Sequence, residues 1–173
     1  MLDQYQPGDP AEAADLARAR RLVEVADPWS RANPLHLTGS ALIVHPPTGR
    51  VLLRWHARQQ AWLQIGGHGD PGEVQALAVA LREGQEETGL TDLTPWPGSG
   101  ILHLVVVPVP AAGDDPAHEH ADVRFVLATD SPELARPEHP GAPLRWLTLP
   151  EATALTGEDN LKASLRRLAV LLD

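Results

Sequence analysis

The segment from Gly66 to Leu90, GGHGDPGEVQALAVALREGQEETGL, constrains this chain more than any other. A glycine-rich loop carrying Asp70, Pro71 and Glu73 runs into an alanine- and leucine-rich stretch, which predicts a helix over 74–88 that stops at Gly89. At about 100° per residue, Leu77, Leu81, Gly84 and Thr88 share a narrow arc and make the expected core stripe. Glu83, Glu86 and Glu87 fall on roughly the opposite side, with Arg82 at their edge. Like charges at these spacings repel by a few tenths of a kcal/mol per pair, about 0.2–0.5. They also sit in the C-terminal half of the helix, where its dipole disfavours negative charge. A hard divalent cation such as Mg2+ or Mn2+ removes both costs, because carboxylate oxygens are its preferred ligands. An exposed acidic helix surface is the other reading, and spacing alone leaves both open.

A chain of 173 residues with 43% hydrophobic residues suggests one domain with a substantial core. No apolar run approaches the roughly 20 residues that span a bilayer. The N-terminus, MLDQYQPGDPAEAADLARARR, lacks the apolar centre of a secretory signal. There is no cysteine, so disulfides, thiolate zinc sites and cysteine nucleophiles are all ruled out. These features fit a cytoplasmic protein. The net charge of -9 argues against nucleic acid as a partner. It leaves room for a phosphorylated small molecule, because a bound cation reverses the local sign.

Asp9-Pro10-Ala11-Glu12 reads as a helix start, with Asp9 as N-cap and Glu12 closing a capping box. Leu16, Val23 and Ala26 are expected on its apolar face, and it should end near Asp27-Pro28. Trp29, in the connector that follows, is expected to cover the core. Strands are expected at 37–44, 51–55, 61–65, 101–109, 120–128 and 144–148, a short helix at 150–155, and a last helix from Asp159 or Asn160 to Leu172. The predicted fold class is α/β (α+β): an α/β/α sandwich with a mixed β-sheet between helices. Residues 1–34 would form an N-terminal helix and connector, and residues 35–173 the main domain.

The segment resembles the Nudix box, G-x5-E-x7-R-E-U-x-E-E-x-G-U with U aliphatic. Arg82, Glu83, Glu86, Glu87, Gly89 and Leu90 match position for position, and Gly67 and Glu73 match the lead-in. Two positions depart from the pattern. Eight residues rather than seven separate Glu73 from Arg82, and Gly84 stands where an aliphatic residue is expected. The resemblance implies a metal-dependent hydrolase that cleaves a diphosphate linkage in a nucleoside diphosphate derivative or similar phosphorylated small molecule. It implies Mg2+ or Mn2+ held by Glu83, Glu86, Glu87 and the Gly67 carbonyl, with Glu73 as a further ligand or Asp70 in its place. Glu83 would be a ligand or the base, oriented by Arg82. A Nudix-fold domain that binds a ligand without catalysis is the alternative; an isomerase of isoprenoid diphosphates would call for a cysteine that the chain lacks.

Outside the box, period two puts His118, His120, Asp122 and Arg124 on one strand face, opposite Ala121, Val123, Phe125 and Leu127. That polar face could meet a diphosphate or an additional metal, or simply be solvated. Arg54, with His56 and Arg58, leads towards the box and is a further candidate for holding phosphate. His36, Thr38 and Ser40 make a similar polar row, best read as an ordinary solvated strand face. No membrane partner is expected. A homodimer is compatible with the sequence, the N-terminal helix being able to cover a sheet edge or join a second copy.

Overall fold

The structure, a computed structural model, describes residues 2–24, 27–113 and 115–172. Among the described residues, four α-helices and eight strands follow one another as α1 (Pro10–Leu22), β1 (Leu35–His45), β2 (Arg50–His56), β3 (Ala61–Leu63), β4 (Ile65–His68), α2 (Ala76–Thr88), β5 (Thr94–Pro95), β6 (His103–Val109), β7 (His118–Ala128), β8 (Leu144–Thr148), α3 (Leu149–Leu155) and α4 (Asp159–Leu172). They build one mixed sheet. Its spine is the parallel pair β1–β7, in register from Leu35↔Glu119 to Val44↔Ala128.

The other edge of β1 is shared. Its C-terminal part pairs with β2 through Ile43↔Leu52, and its N-terminal part pairs with β4 through Ala41↔Ile65 and Thr38↔His68. All these pairings are antiparallel, as are β2 with β3 and β8, and β7 with β5 and β6. The change of partner along β1 opens the sheet between β2 and β4, and the cleft described below lies there.

Alternation along β1 explains the two apolar layers. Leu37, Ala41 and Ile43 face Leu16, Ala19, Val79 and Ala80, so α1 and α2 cover one side. Leu42 and Val44 face Ala152, Leu161, Leu165 and Leu168 of α3 and α4 on the other. This is the mixed sheet between helices that the sequence predicts. Trp29 is buried in the first layer, as expected.

Several elements differ in detail. The single strand expected at 61–65 is two, and Gly66–His68 is not a loop but the body of β4, paired to β1. Helix α1 ends at Leu22, short of Asp27, with Val23 as its C-cap; Asp27 belongs to the turn that follows, where its side chain accepts from Trp29 N and its carbonyl from Asn33 Nδ2. The buried face of α1 is Leu16, Ala19 and Leu22, while Val23 is exposed; Ala26 lies outside the described residues. Asp9 caps α1 as expected, accepting from Glu12 N at 2.9 Å. Glu12 does not close the capping box. It is buried and turns instead to Tyr5 Oη, Gly8 N, Leu104 N at 3.2 Å and Arg167 Nη2 at 2.6 Å. It thereby ties α1 to β6 and α4.

The face of α2 that packs also differs from the expected stripe. Ala76, Val79, Ala80, Gly84, Glu87 and Thr88 are buried, whereas Leu77 and Leu81 are only partly so. The acidic side is therefore no free surface. The sheet wraps around it, and only Glu86 of the three glutamates looks outward, its side chain 54% exposed.

Candidate active site

Arg82 organises the acidic end of α2. Its Nε and Nη2 donate to the Glu73 carboxylate, the Nη2 contact being 3.0 Å. Its Nη1 donates to Glu83 Oε1 at 3.0 Å and Glu86 Oε2 at 2.8 Å, and Nη2 also donates to the His68 carbonyl at 2.8 Å. One planar fork thus fixes three carboxylates and the end of β4. Glu73 first, then Glu83 and Glu86, hold the guanidinium firmly charged. Arg82 in turn holds the Glu73 carboxyl below its usual range.

The additional residue between Glu73 and Arg82 is absorbed before the helix. Asp70 to Glu73 form a turn closed by Glu73 N to Asp70 O at 2.9 Å, Val74 is exposed, and α2 begins only at Ala76. Glu73 therefore still reaches Arg82. The Asp70 carboxylate lies 3.5 Å from Arg82 Nε.

Glu83 and Glu87 point inward. A Cβ on Gly67 would lie 2.6 Å from Glu83 Cδ, so the missing side chain of Gly67 is what lets this carboxylate sit against β4. Burial raises the Glu83 pKa despite Arg82. Glu87 accepts from Gly66 N at 3.3 Å and is 2.8 Å from Arg54 Nη1. Burial pushes its carboxyl up to about 7, with Arg54 opposing. Glu138, on the segment before β8, lies 3.7 Å from Arg54 Nη2, a partner that no local pattern in the sequence signals.

The fit of these residues to Mg2+ or Mn2+ rests on the donors and the cradle. Carboxylate oxygens and a strand carbonyl are hard ligands. A buried carboxylate, Glu87, and a partly buried one, Glu83, both with raised pKa values, stand to gain from a cation. The cradle at Gly67 brings Glu83 against the backbone of β4.

A cleft of about 200 Å³ opens beside Glu87, bounded by Arg54, Gly67, His68, His120 and Asp122 among others. A second cleft of about 720 Å³ shares His56, His68 and His120 with it and continues outward past Arg31 and Arg58. The cleft floor is polar but not solvated, which corrects the expectation for Thr38 and Ser40. Both are buried and donate to Asp122 Oδ1, at 3.0 and 2.7 Å. Arg124 is buried with its guanidinium committed to Asp122 (2.8 Å), Asn160 (2.7 Å to Oδ1) and Ser164 (3.0 Å), bolting β7 to α4.

His118 and His120 point towards the outer cleft, where His36 and His68 join them. The polar rows were visible in the sequence, but the parallel register that sets His36 beside His120 was not.

No match to a curated protein was found from sequence. Among solved structures, the chain is similar to an Ap4A hydrolase of C. elegans in a binary complex, at 20% identity over 79% of this chain and 96% of that one, with a TM-score of 0.64. It is similar to the dihydroneopterin triphosphate pyrophosphohydrolase of E. coli, at 21% identity over 80% and 97%, TM-score 0.57, and to a Nudix hydrolase of M. smegmatis, at 22% identity over 78% and 84%, TM-score 0.58. At such identities the likeness speaks to the fold. Residues 35–168 match the NUDIX domain, and with most of its length inside that match the chain belongs to the Nudix family.

Proposed function

We propose that this chain is a metal-dependent pyrophosphohydrolase, cleaving a diphosphate linkage in a nucleoside diphosphate derivative or a similar phosphorylated small molecule. The observation that carries the reading is the Arg82 fork: it gathers Glu73, Glu83 and Glu86 beside a cleft whose wall holds Glu87 and Arg54. Glu83, Glu86, Glu87 and the Gly67 carbonyl would hold Mg2+ or Mn2+, which when bound neutralises phosphate oxygens and makes phosphorus open to attack by water. Glu73, bound to Arg82, would support this set rather than complete it.

The protein's own groups supply the remainder. Arg54, partly buried at the cleft wall, presents positive charge to a phosphate while neutralising Glu87. Glu83, held by Arg82 against Gly67, is placed as a ligand of that cation or as the base that takes a proton from the attacking water. Arg82 positions Glu83 by a charge-assisted bond and does not face the substrate. Arg124 acts behind the cleft wall, holding Asp122 and α4 in place.

The test is a turnover screen with Mg2+ and Mn2+ over nucleoside triphosphates, nucleotide sugars, ADP-ribose, dinucleoside polyphosphates and coenzyme A. Turnover of at least one class is expected, with Glu86→Gln and Glu87→Gln each slowing it by orders of magnitude. Binding of such a ligand with no turnover by the folded protein would favour a non-catalytic binding domain instead.

A further inference from the structure

Four histidines from three strands converge at the outer end of the cleft. His36 comes from β1, His68 from β4, and His118 and His120 from β7; one ring nitrogen of each lies within 4.8 Å of all the others. The Nε2 atoms form a chain of contacts: His36 to His68 at 3.1 Å, His68 to His120 at 3.2 Å, and His120 to His118 at 3.1 Å. His36 is fully buried, and the side chain of His118 is 12% exposed.

With all four rings neutral, protons alone do not satisfy this arrangement. His36 Nδ1 faces the Asn33 carbonyl at 3.0 Å, and His118 Nδ1 faces the Pro116 carbonyl at 2.8 Å. A carbonyl only accepts, so both Nδ1 atoms carry hydrogen, and in neutral rings both Nε2 atoms are bare. His68 and His120 can each bring one Nε2–H at most. Three contacts therefore have at most two donors, and one contact is left as lone pair against lone pair or hydrogen against hydrogen.

A cation answers what protons leave open. Ligands at about 2.0–2.1 Å around a tetrahedral ion stand about 3.3–3.4 Å apart, close to the three Nε2 contacts. Imidazole nitrogen suits zinc, copper, nickel and iron rather than magnesium. The two Nδ1–H···O=C bonds are the outer support that orients a ligating histidine.

We infer that His36, His68, His118 and His120 form a four-nitrogen site for a divalent transition metal of the zinc class, separate from the carboxylates of α2. Four protein ligands fill a tetrahedral ion, so the site is a structural clasp and not a second catalytic centre. It pins the start of β1, the end of β4 and the start of β7 to one another. Because His68 follows Gly67, the clasp also fixes the strand end against which Glu83 rests.

The test uses the full chain, stripped with a chelator and held in excess Mg2+ to fill the carboxylate site, then titrated with Co2+ as a coloured probe. One Co2+ per chain is expected to bind with the intense visible absorption of a four-coordinate nitrogen site, to be displaced by Zn2+, and to raise Tm. His120→Ala should abolish the band and weaken Zn2+ binding at least tenfold. His118→Gln, at the outer rim, guards against a folding failure and should weaken binding likewise. Glu87→Gln should leave the band intact. No band in the folded chain overturns the inference, as does a band that survives both histidine substitutions or vanishes with Glu87→Gln. None of these readouts depends on turnover, so the site stands or falls apart from the proposed hydrolase.

Discussion

Arg54 Nη1 lies 2.8 Å from Glu87 Oε1, with both side chains largely withdrawn from water. The pair holds a carboxylate in a place where burial alone would keep it protonated at neutral pH. Removing Arg54 takes away the opposing charge, so the Glu87 pKa rises further and a higher pH is needed to ionise it. Arg54→Ala is therefore expected to cut Mg2+-dependent turnover at pH 7 at least tenfold and to shift the acidic limb of the pH–rate profile upward. A limb that stays in place would show that Glu87 does not depend on this partner.

Arg82 makes contacts that a lysine cannot reproduce. Its fork reaches Glu73, Glu83, Glu86 and the His68 carbonyl at once. A lysine offers a single ammonium at the end of a flexible stem. Displacement of the carboxylates by about 1 Å is enough to cost about 100-fold in rate. Arg82→Lys is expected to lose activity on that scale with kcat falling more than KM rises. Steady-state kinetics of the folded variant, checked by circular dichroism, decides it.

Gly84 stands where the family has an aliphatic side chain, and the structure shows what replaces it. A Cβ at this position would lie 2.8 Å from Leu93 Cδ1, so Leu93 occupies the room such a residue would take. Overpacking typically costs about 1–3 kcal/mol, against about 1 kcal/mol that alanine gains over glycine inside a helix. Gly84→Leu is expected to destabilise, and Leu93→Ala to recover part of the loss in the double variant. Urea unfolding of the four proteins measures the coupling; simple additivity would mean that the two positions do not compete for one space.

The layers and the acidic motif were legible because they rest on local pattern. Alternation placed β1 and β7, and the motif placed Arg82 beside Glu83 and Glu86. What sequence could not provide were relationships set by register and by long-range packing. The expected core stripe through Leu77 and Leu81 missed that β4 folds over the acidic side of α2 and buries Glu87. Thr38 and Ser40 resembled a wet strand face because nothing local announces that Asp122 will stand beside them. Glu12 looked like a capping residue because its role depends on Arg167, 155 positions away.

Glu12 makes its own prediction. It satisfies Gly8 N and Leu104 N and pairs with Arg167 while buried. Removing one partner of such an arrangement costs about 3 kcal/mol or more. Glu12→Ala should lower stability by that order in denaturant unfolding and loosen α1 from β6, seen as faster amide exchange at Leu104. A loss within a few tenths of a kcal/mol would mean that α1 contributes little to the fold.

Acid should destabilise the metal-free chain in a defined window. Burial holds His68 at about 3, and His103 and His120 at about 4, well below the ordinary value of 6.5. Between those values the unfolded chain binds protons that the folded chain refuses, so stability is full above pH 6.5 and falls as pH drops towards 4. Each such histidine adds a slope of about 1.4 kcal/mol per pH unit there. Denaturant unfolding from pH 7 to pH 4 tests this, and His103→Asn should flatten the slope; a flat wild-type profile would contradict the burial of these rings.

The parallel pairing of β1 with β7 also dictates when this molecule can come into being. Its rungs join residues such as Thr38 and Asp122, 84 positions apart, with β2, β3, β4 and α2 made in between. Contacts this distant in sequence slow folding, because the intervening chain must be ordered before they return any stability. During synthesis the acidic helix therefore emerges well before the strand that completes the cleft beside it. Until β7 arrives, β1 has an open edge, and the nascent chain is exposed to mispairing in that interval.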